Sequence, residues 1–190
     1  MFGAKKKKNM ENNFIAKRIL ATPVLGVGHV NACAGIALPL LKRGHRVAFF
    51  LEKPFAGKLL ERGFEEIVYE IDYKPDDEFA KMNNEKPGEQ IAHFLVEKGI
   101  IGNKNRLSQI EKLTNTAWDS DSKIIQIDQH LRNAIETFQP DLFIVDHHRL
   151  QPAIYYSKIP WIHVISIAPL LYLQNVENLP LAWSGMTNQI

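Results

Sequence analysis

Apolar residues in this chain recur in two rhythms. Unbroken runs such as "RILATPVL" (18–25), "HRVAFFL" (45–51) and "DLFIVD" (141–146) suit strands covered on both faces. Segments between them carry apolar residues at helical spacing. The pattern predicts a first strand within Lys17–Leu25, a helix from about His29 to Arg43 stopped by Gly44, and a second strand at His45–Leu51. Pro39 falls inside that helix, and a kink is expected where its ring presses on the carbonyl of Gly35. A short helix over Pro54–Arg62, ended by Gly63, should lead to a third strand at Phe64–Ile71.

The next region, 72–118, is less patterned. "DYKPDDEFAKMNNEKPGEQ" reads as loop, with helices possible at Glu89–Lys98 and Arg106–Trp118. From Asp119 the signal sharpens: Asp119, Ser120, Asp121 and Ser122 offer N-caps. Ile124, Ile127, Leu131, Ile135 and Phe138 then follow at helical spacing. A fourth strand at 141–146, a short helix at Gln151–Ser157 and a fifth strand, "WIHVISI" (161–167), complete the pattern, and the last twenty residues look loop-like. Strands alternating with helices over short connections predict an α/β fold, a Rossmann-like doubly wound parallel sheet. Residues 1–14 read as a disordered tail and 15–190 as one domain.

Composition narrows the partners. The 190 residues carry a net charge of +2, but Lys5, Lys6, Lys7 and Lys8 exceed that surplus; without them 19 basic residues face 21 acidic ones. The body of the chain is not a basic surface, which argues against a nucleic-acid partner. Cys33 is the single cysteine, so no internal disulfide can form. No apolar core follows the lysines, as a secretory signal would require. The longest apolar stretch, Ile159–Leu173, is 15 residues long and is broken by Pro160, His163, Ser166 and Pro169, so no membrane span is expected. A cytoplasmic protein is the resulting expectation.

In a doubly wound sheet, ligands bind beyond the carboxyl ends of the strands where strand order reverses. With order 3-2-1-4-5, the loop Gly26-Val27-Gly28-His29 after the first strand and Asp146 at the end of the fourth should face one crevice. A carboxylate that fixes an imidazole tautomer frees the other ring nitrogen to accept a proton from a substrate hydroxyl. A helix N-terminus adds to this, since its positive end disfavours the charged imidazolium. A plainer reading stays open: a tight turn that needs small residues, His29 on the surface and Asp146 capping the next segment.

Other residues carry less. His147 and His148 beside Asp146 invite a metal site, but adjacent side chains rarely converge on one ion and no further Cys/His spacing completes a set, so no metal is expected. His45 and His163 read as structural histidines, His93 and His130 as solvated, and Phe49, Phe50, Trp161 and Tyr172 as core. "GVGHVN" offers G-x-G-x-x-N, an incomplete dinucleotide fingerprint, with Glu52 placed where an acidic ribose-binding residue would sit. No Gly-Lys-Ser/Thr follows, so a P-loop is excluded.

"GVGHVNACAGIALPLLKRGHRVAFFLE", then "PDLFIVDHH" and "IPWIHVISIAPL", resemble the N-terminal half of the UDP-glycosyltransferases, inverting enzymes built from two Rossmann-like domains in the GT-B architecture. The resemblance covers residues 17–185 and is nearest to soluble arthropod-type members related to bacterial macrolide glycosyltransferases. It implies that His29 is the catalytic base and Asp146 its carboxylate partner. It implies an acceptor pocket for a small lipophilic molecule, with Gly28, His147, Ser166 and Pro169 as candidates. No cofactor is implied beyond a UDP-sugar co-substrate, and no metal.

The departure from that family is equally specific. Its second domain binds the UDP-sugar through a long Gly-, His- and Glu-containing signature that this sequence lacks. The chain ends at Ile190, near the "LPLAWSG" loop. The expectation is an incomplete polypeptide (a fragment, a partial gene product or a truncated paralogue) that does not transfer sugar by itself. Two functions of other classes remain as alternatives: a non-catalytic small-molecule binding module, and an NAD-type nucleotide-binding oxidoreductase.

Overall fold

The computed structural model describes residues 15–72, 87–102, 105–115, 121–147 and 150–166. Five strands, β1 (Arg18–Pro23), β2 (Arg46–Glu52), β3 (Glu65–Tyr69), β4 (Leu142–Asp146) and β5 (Trp161–His163), form one sheet in the order β3-β2-β1-β4-β5. Every pairing is parallel. Among the described residues five α-helices accompany them: α1 (Val27–Lys42), α2 (Pro87–Glu97), α3 (Arg106–Asn115), α4 (Asp121–Phe138) and α5 (Pro152–Ser157). The tail at 1–14, the caps Asp119 and Ser120, and the segment from Ile167 onward with Tyr172 lie outside the described residues.

Alternation along β1 sorts its side chains between two cores. Ile19 and Ala21 pack with Val30, Cys33, Ala34 and Ala37 of α1. Leu20 packs on the other face with Leu131, Ala134 and Phe138 of α4 and with Ala153 and Ile154 of α5. Both faces of the sheet are therefore covered, which is why β1, β2 and β4 read as unbroken apolar runs. The small residues Cys33, Ala34 and Ala37, all fully buried, let α1 lie close on β1 and β4. Phe49 meets Phe64 edge-on at 5.0 Å, and Phe50 stacks on Tyr69 at 4.2 Å, so both phenylalanines are core as expected.

α1 stops as its sequence predicts. Gly44 adopts φ +92°, its N–H bonds to Leu41, and the N–H of His45 reaches back to Leu40. The helix begins two residues before His29 and continues through Pro39 to Lys42.

Four expectations need correction. The helix over Pro54–Arg62 is instead two 3₁₀ turns, Lys53–Phe55 and Leu60–Arg62. Gly57 at φ +80° separates them, and the N–H groups of Gly57 and Leu59 bond to the Glu66 carboxylate at 2.6 and 2.8 Å rather than to helical carbonyls. β5 is three residues long, not seven. Trp161 is not core: it sits on β5, the outermost strand among the described residues, with 44% of its surface exposed. His130 is not simply solvated, because it is half-buried and stacks on Tyr69 at 5.8 Å.

Candidate functional site

The site is built where β1 hands over to α1. Pro23 ends β1 opposite Asp146, the last residue of β4. The N–H of Val24 then bonds to the Asp146 carbonyl at 2.7 Å, pinning the turn to the neighbouring strand. Gly26 bonds to Val24 at 2.8 Å and serves as the N-cap of α1, and its carbonyl accepts the first helical bond from Val30. His29 is thus the third residue of α1, on the first turn.

From there its ring reaches β4. His29 Nδ1 lies 2.9 Å from Asp146 Oδ2, although the two residues are 117 positions apart. The carboxylate is deeply placed, with 5% of the side chain exposed; the imidazole is more open, with 19% exposed. That ordering leaves a buried anchor and an accessible ring. Crossing order at β1 and β4 brings the pair together, because the chain reverses there from one half of the sheet to the other.

Ser166, three residues beyond β5, completes the cluster. Its Oγ lies 2.6 Å from Asp146 Oδ2 and 2.7 Å from His29 Nδ1. The Ser166 N–H approaches Asp146 Oδ1 at 3.4 Å. A Ser-His-Asp trio suggests a hydrolase, but the geometry differs. In a nucleophilic triad, serine and aspartate address opposite ring nitrogens. Here both address Nδ1, so Ser166 is not placed as the nucleophile of such a triad, and among the described residues Nε2 is left for another partner.

Cys33 lies one helical turn beyond His29. Burial, reinforced by the Asp146 charge, pushes its thiol from the ordinary 9.0 up to about 12. It is a protonated core residue at neutral pH, not a nucleophile.

The remaining predicted residues divide. Gly28 is exposed, and a Cβ built there would meet nothing within 4 Å, so the first turn of α1 is open to a ligand. His147 is half-buried beside Asp146, and its carbonyl accepts a hydrogen bond from His163 Nε2–H at 3.1 Å. Pro169 lies outside the described residues. Glu52, buried at the end of β2, belongs to the same carboxyl rim of the sheet. His45, just ahead of β2, accepts the Lys17 N–H on Nδ1 at 3.0 Å. His93 is exposed on α2. The sequence offered Ser166 only through a family resemblance; its place against the pair is set by where β5 ends, which no local pattern encodes.

A surface depression of about 470 Å³, lined by Lys17, Leu40, His45, Asp141 and Pro160 among others, lies at the opposite end of the sheet. It reaches neither His29 nor Asp146. Among the described residues, no group of three or more His, Cys, Asp and Glu side chains is placed to hold a metal ion. No helix among them is long and apolar enough to cross a membrane.

No protein-family model and no curated protein sequence matches the chain. Solved structures do. SsfS6, a glycosyltransferase of Streptomyces sp. SF2575, aligns over 77% of this chain and 38% of its own, with TM-score 0.50 and 14% identity. That protein has also been solved with thymidine diphosphate. The kitacinnamycin glycosyltransferase aligns over 78% of this chain and 30% of its own, with TM-score 0.45 and 20% identity. LpCGTa, solved with UDP, aligns over 82% and 31%, with TM-score 0.45 and 13% identity. The chain spans less than two-fifths of the length of each. By fold, the described residues form a Rossmann-like α/β unit similar to the one that glycosyltransferases of the GT-B architecture carry.

Proposed function

We propose that this chain supplies the acceptor side of an inverting glycosyl transfer, with His29 as the general base. One observation carries the reading: the 2.9 Å contact between His29 Nδ1 and Asp146 Oδ2 at the switch point of the sheet. Asp146 accepts Nδ1–H and holds the tautomer, so the lone pair that can take up a proton is on Nε2. A hydroxyl of a small lipophilic acceptor gives that proton to Nε2. Its oxygen attacks the anomeric carbon of a UDP-sugar from the face opposite the leaving group. The bond from the anomeric carbon to the diphosphate oxygen breaks, UDP departs with the electron pair, and configuration inverts. The imidazolium is balanced by the Asp146 carboxylate until the proton passes to solvent.

The open first turn at Gly28, together with His147, Ser166 and Pro169, is assigned to the acceptor pocket. A bound nucleotide in SsfS6 and in LpCGTa supports a nucleotide sugar as donor. In the family that the motifs resemble, a second domain binds most of the donor. We therefore expect no transfer from these 190 residues alone, and we place the reaction in the cytoplasm.

The test is product stereochemistry. The chain is joined to a nucleotide-sugar-binding half and supplied with UDP-glucose and a panel of phenolic and aliphatic alcohols. The anomeric proton coupling of any glycoside is then read by NMR. A β-linked product from the α-linked donor supports the proposal; retained configuration, or no product with a folded sample across the panel, defeats it.

A further inference from the structure

We infer that Ser166 is a positioning residue, whose hydroxyl locks His29 and Asp146 to each other at a third point. The inference rests on the reading of His29 as the base. The three side-chain atoms close a triangle with edges of 2.9, 2.7 and 2.6 Å. One assignment of protons satisfies all three edges. Nδ1–H is shared between Asp146 Oδ2 and Ser166 Oγ, and the Ser166 hydroxyl donates to Oδ2. An unprotonated Nδ1 would set its lone pair against the carboxylate at 2.9 Å, so that arrangement is disfavoured.

The triangle joins three separate parts of the chain: the first turn of α1, the end of β4 and the residues after β5. A single hydrogen bond between His29 and Asp146 would leave the more exposed imidazole free to turn about the contact. The serine removes that freedom by giving Nδ1–H a second acceptor and Oδ2 a second donor. Its N–H, 3.4 Å from Oδ1, approaches the other carboxylate oxygen. Its proton goes to Asp146, so within the acceptor pocket the hydroxyl offers a substrate only its oxygen, as a hydrogen-bond acceptor. Nδ1–H, held by two acceptors, must break both contacts before it exchanges with water.

The experiment uses the full chain labelled with ¹⁵N, with no donor or acceptor added. The resonance of the His29 Nδ1 proton is observed, and its exchange with water is measured. Ser166→Ala should speed that exchange by about fivefold or more, the factor expected for losing one ordinary hydrogen bond. Ser166→Gly, which also deletes the hydroxyl, should do the same and serves if the alanine variant does not fold. Ser166→Thr keeps the hydroxyl and should restore slow exchange. Unchanged exchange in the deletion variants overturns the inference, as does equal acceleration in the threonine variant. Because no sugar transfer is read, failure here leaves His29 as base untouched; that reading fails separately if His29→Ala still transfers sugar.

Discussion

A Cβ on Gly26 would stand 3.2 Å from Cδ2 of His29, so the glycine at the start of α1 leaves the space that the imidazole occupies. The backbone there is extended, with φ −152°, which any residue can adopt. The constraint on a side chain at Gly26 comes from the ring beside it rather than from the turn, since the ring would have to shift by a few tenths of an ångström. Gly26→Ala should therefore cost little stability, about 0.5–1 kcal/mol through the poorer N-cap. It should lower transfer by about tenfold through displacement of the base. Gly28→Ala is the contrast, since its Cβ meets nothing. It should fold as well or better and act, if at all, by raising KM for the acceptor. Thermal melts and steady-state kinetics of the two variants separate these outcomes; equal effects on kcat would contradict the placement of the ring.

Cys33 gives a pH test of the core beneath the site. Its thiol is pushed up to about 12 by burial and then by the Asp146 charge. In the unfolded chain it ionises near the ordinary 9.0. Between these values the folded state holds a proton that the unfolded state has lost, so stability falls as pH rises from 9 toward 12. Urea midpoints measured across that window should decline less steeply in Cys33→Ala than in the unmutated chain. Iodoacetamide labelling at pH 8 should be at least about a hundredfold slower in the folded protein than in urea. Rapid labelling of the folded chain would mean that the thiol is not where the structure puts it.

Asp141 gives the opposite slope at the other end of the sheet. The backbone N–H of Arg18 bonds to its carboxylate at 2.8 Å and, against a smaller opposing effect of burial and with help from the Lys17 and Arg18 charges, holds its pKa below the ordinary 3.8. The stabilisation is present above the ordinary value and is lost as pH falls through the lowered one. Asp141→Asn should therefore lose less stability than the parent chain on acidification below about pH 4. Circular dichroism through an acid titration checks this, and parallel curves for the two proteins would count against it.

Much of this was written in the sequence, and the reasons are local. β1, β2 and β4 were legible because strands covered on both faces show unbroken apolar runs, and the stop of α1 because Gly44 supplies a left-handed residue. The meeting of His29 and Asp146 followed from topology alone, once the order of strands was assumed. What stayed hidden depended on contacts between distant segments. The Glu66 carboxylate takes the N–H groups that a helix over 54–62 would have used. Trp161 looks like core by composition, yet β5 is the outermost strand among the described residues and leaves it exposed. Ser166 joins the pair only because β5 ends where it does.

The most direct measurement is the turnover of a His29→Ala variant, in a polypeptide that carries this chain together with a nucleotide-sugar-binding half. Loss of the general base should lower kcat by about 10²–10⁴-fold, with the circular dichroism and melting temperature of the parent retained. Turnover within about twofold of the parent, in a folded variant, would contradict the assignment of His29 as the base.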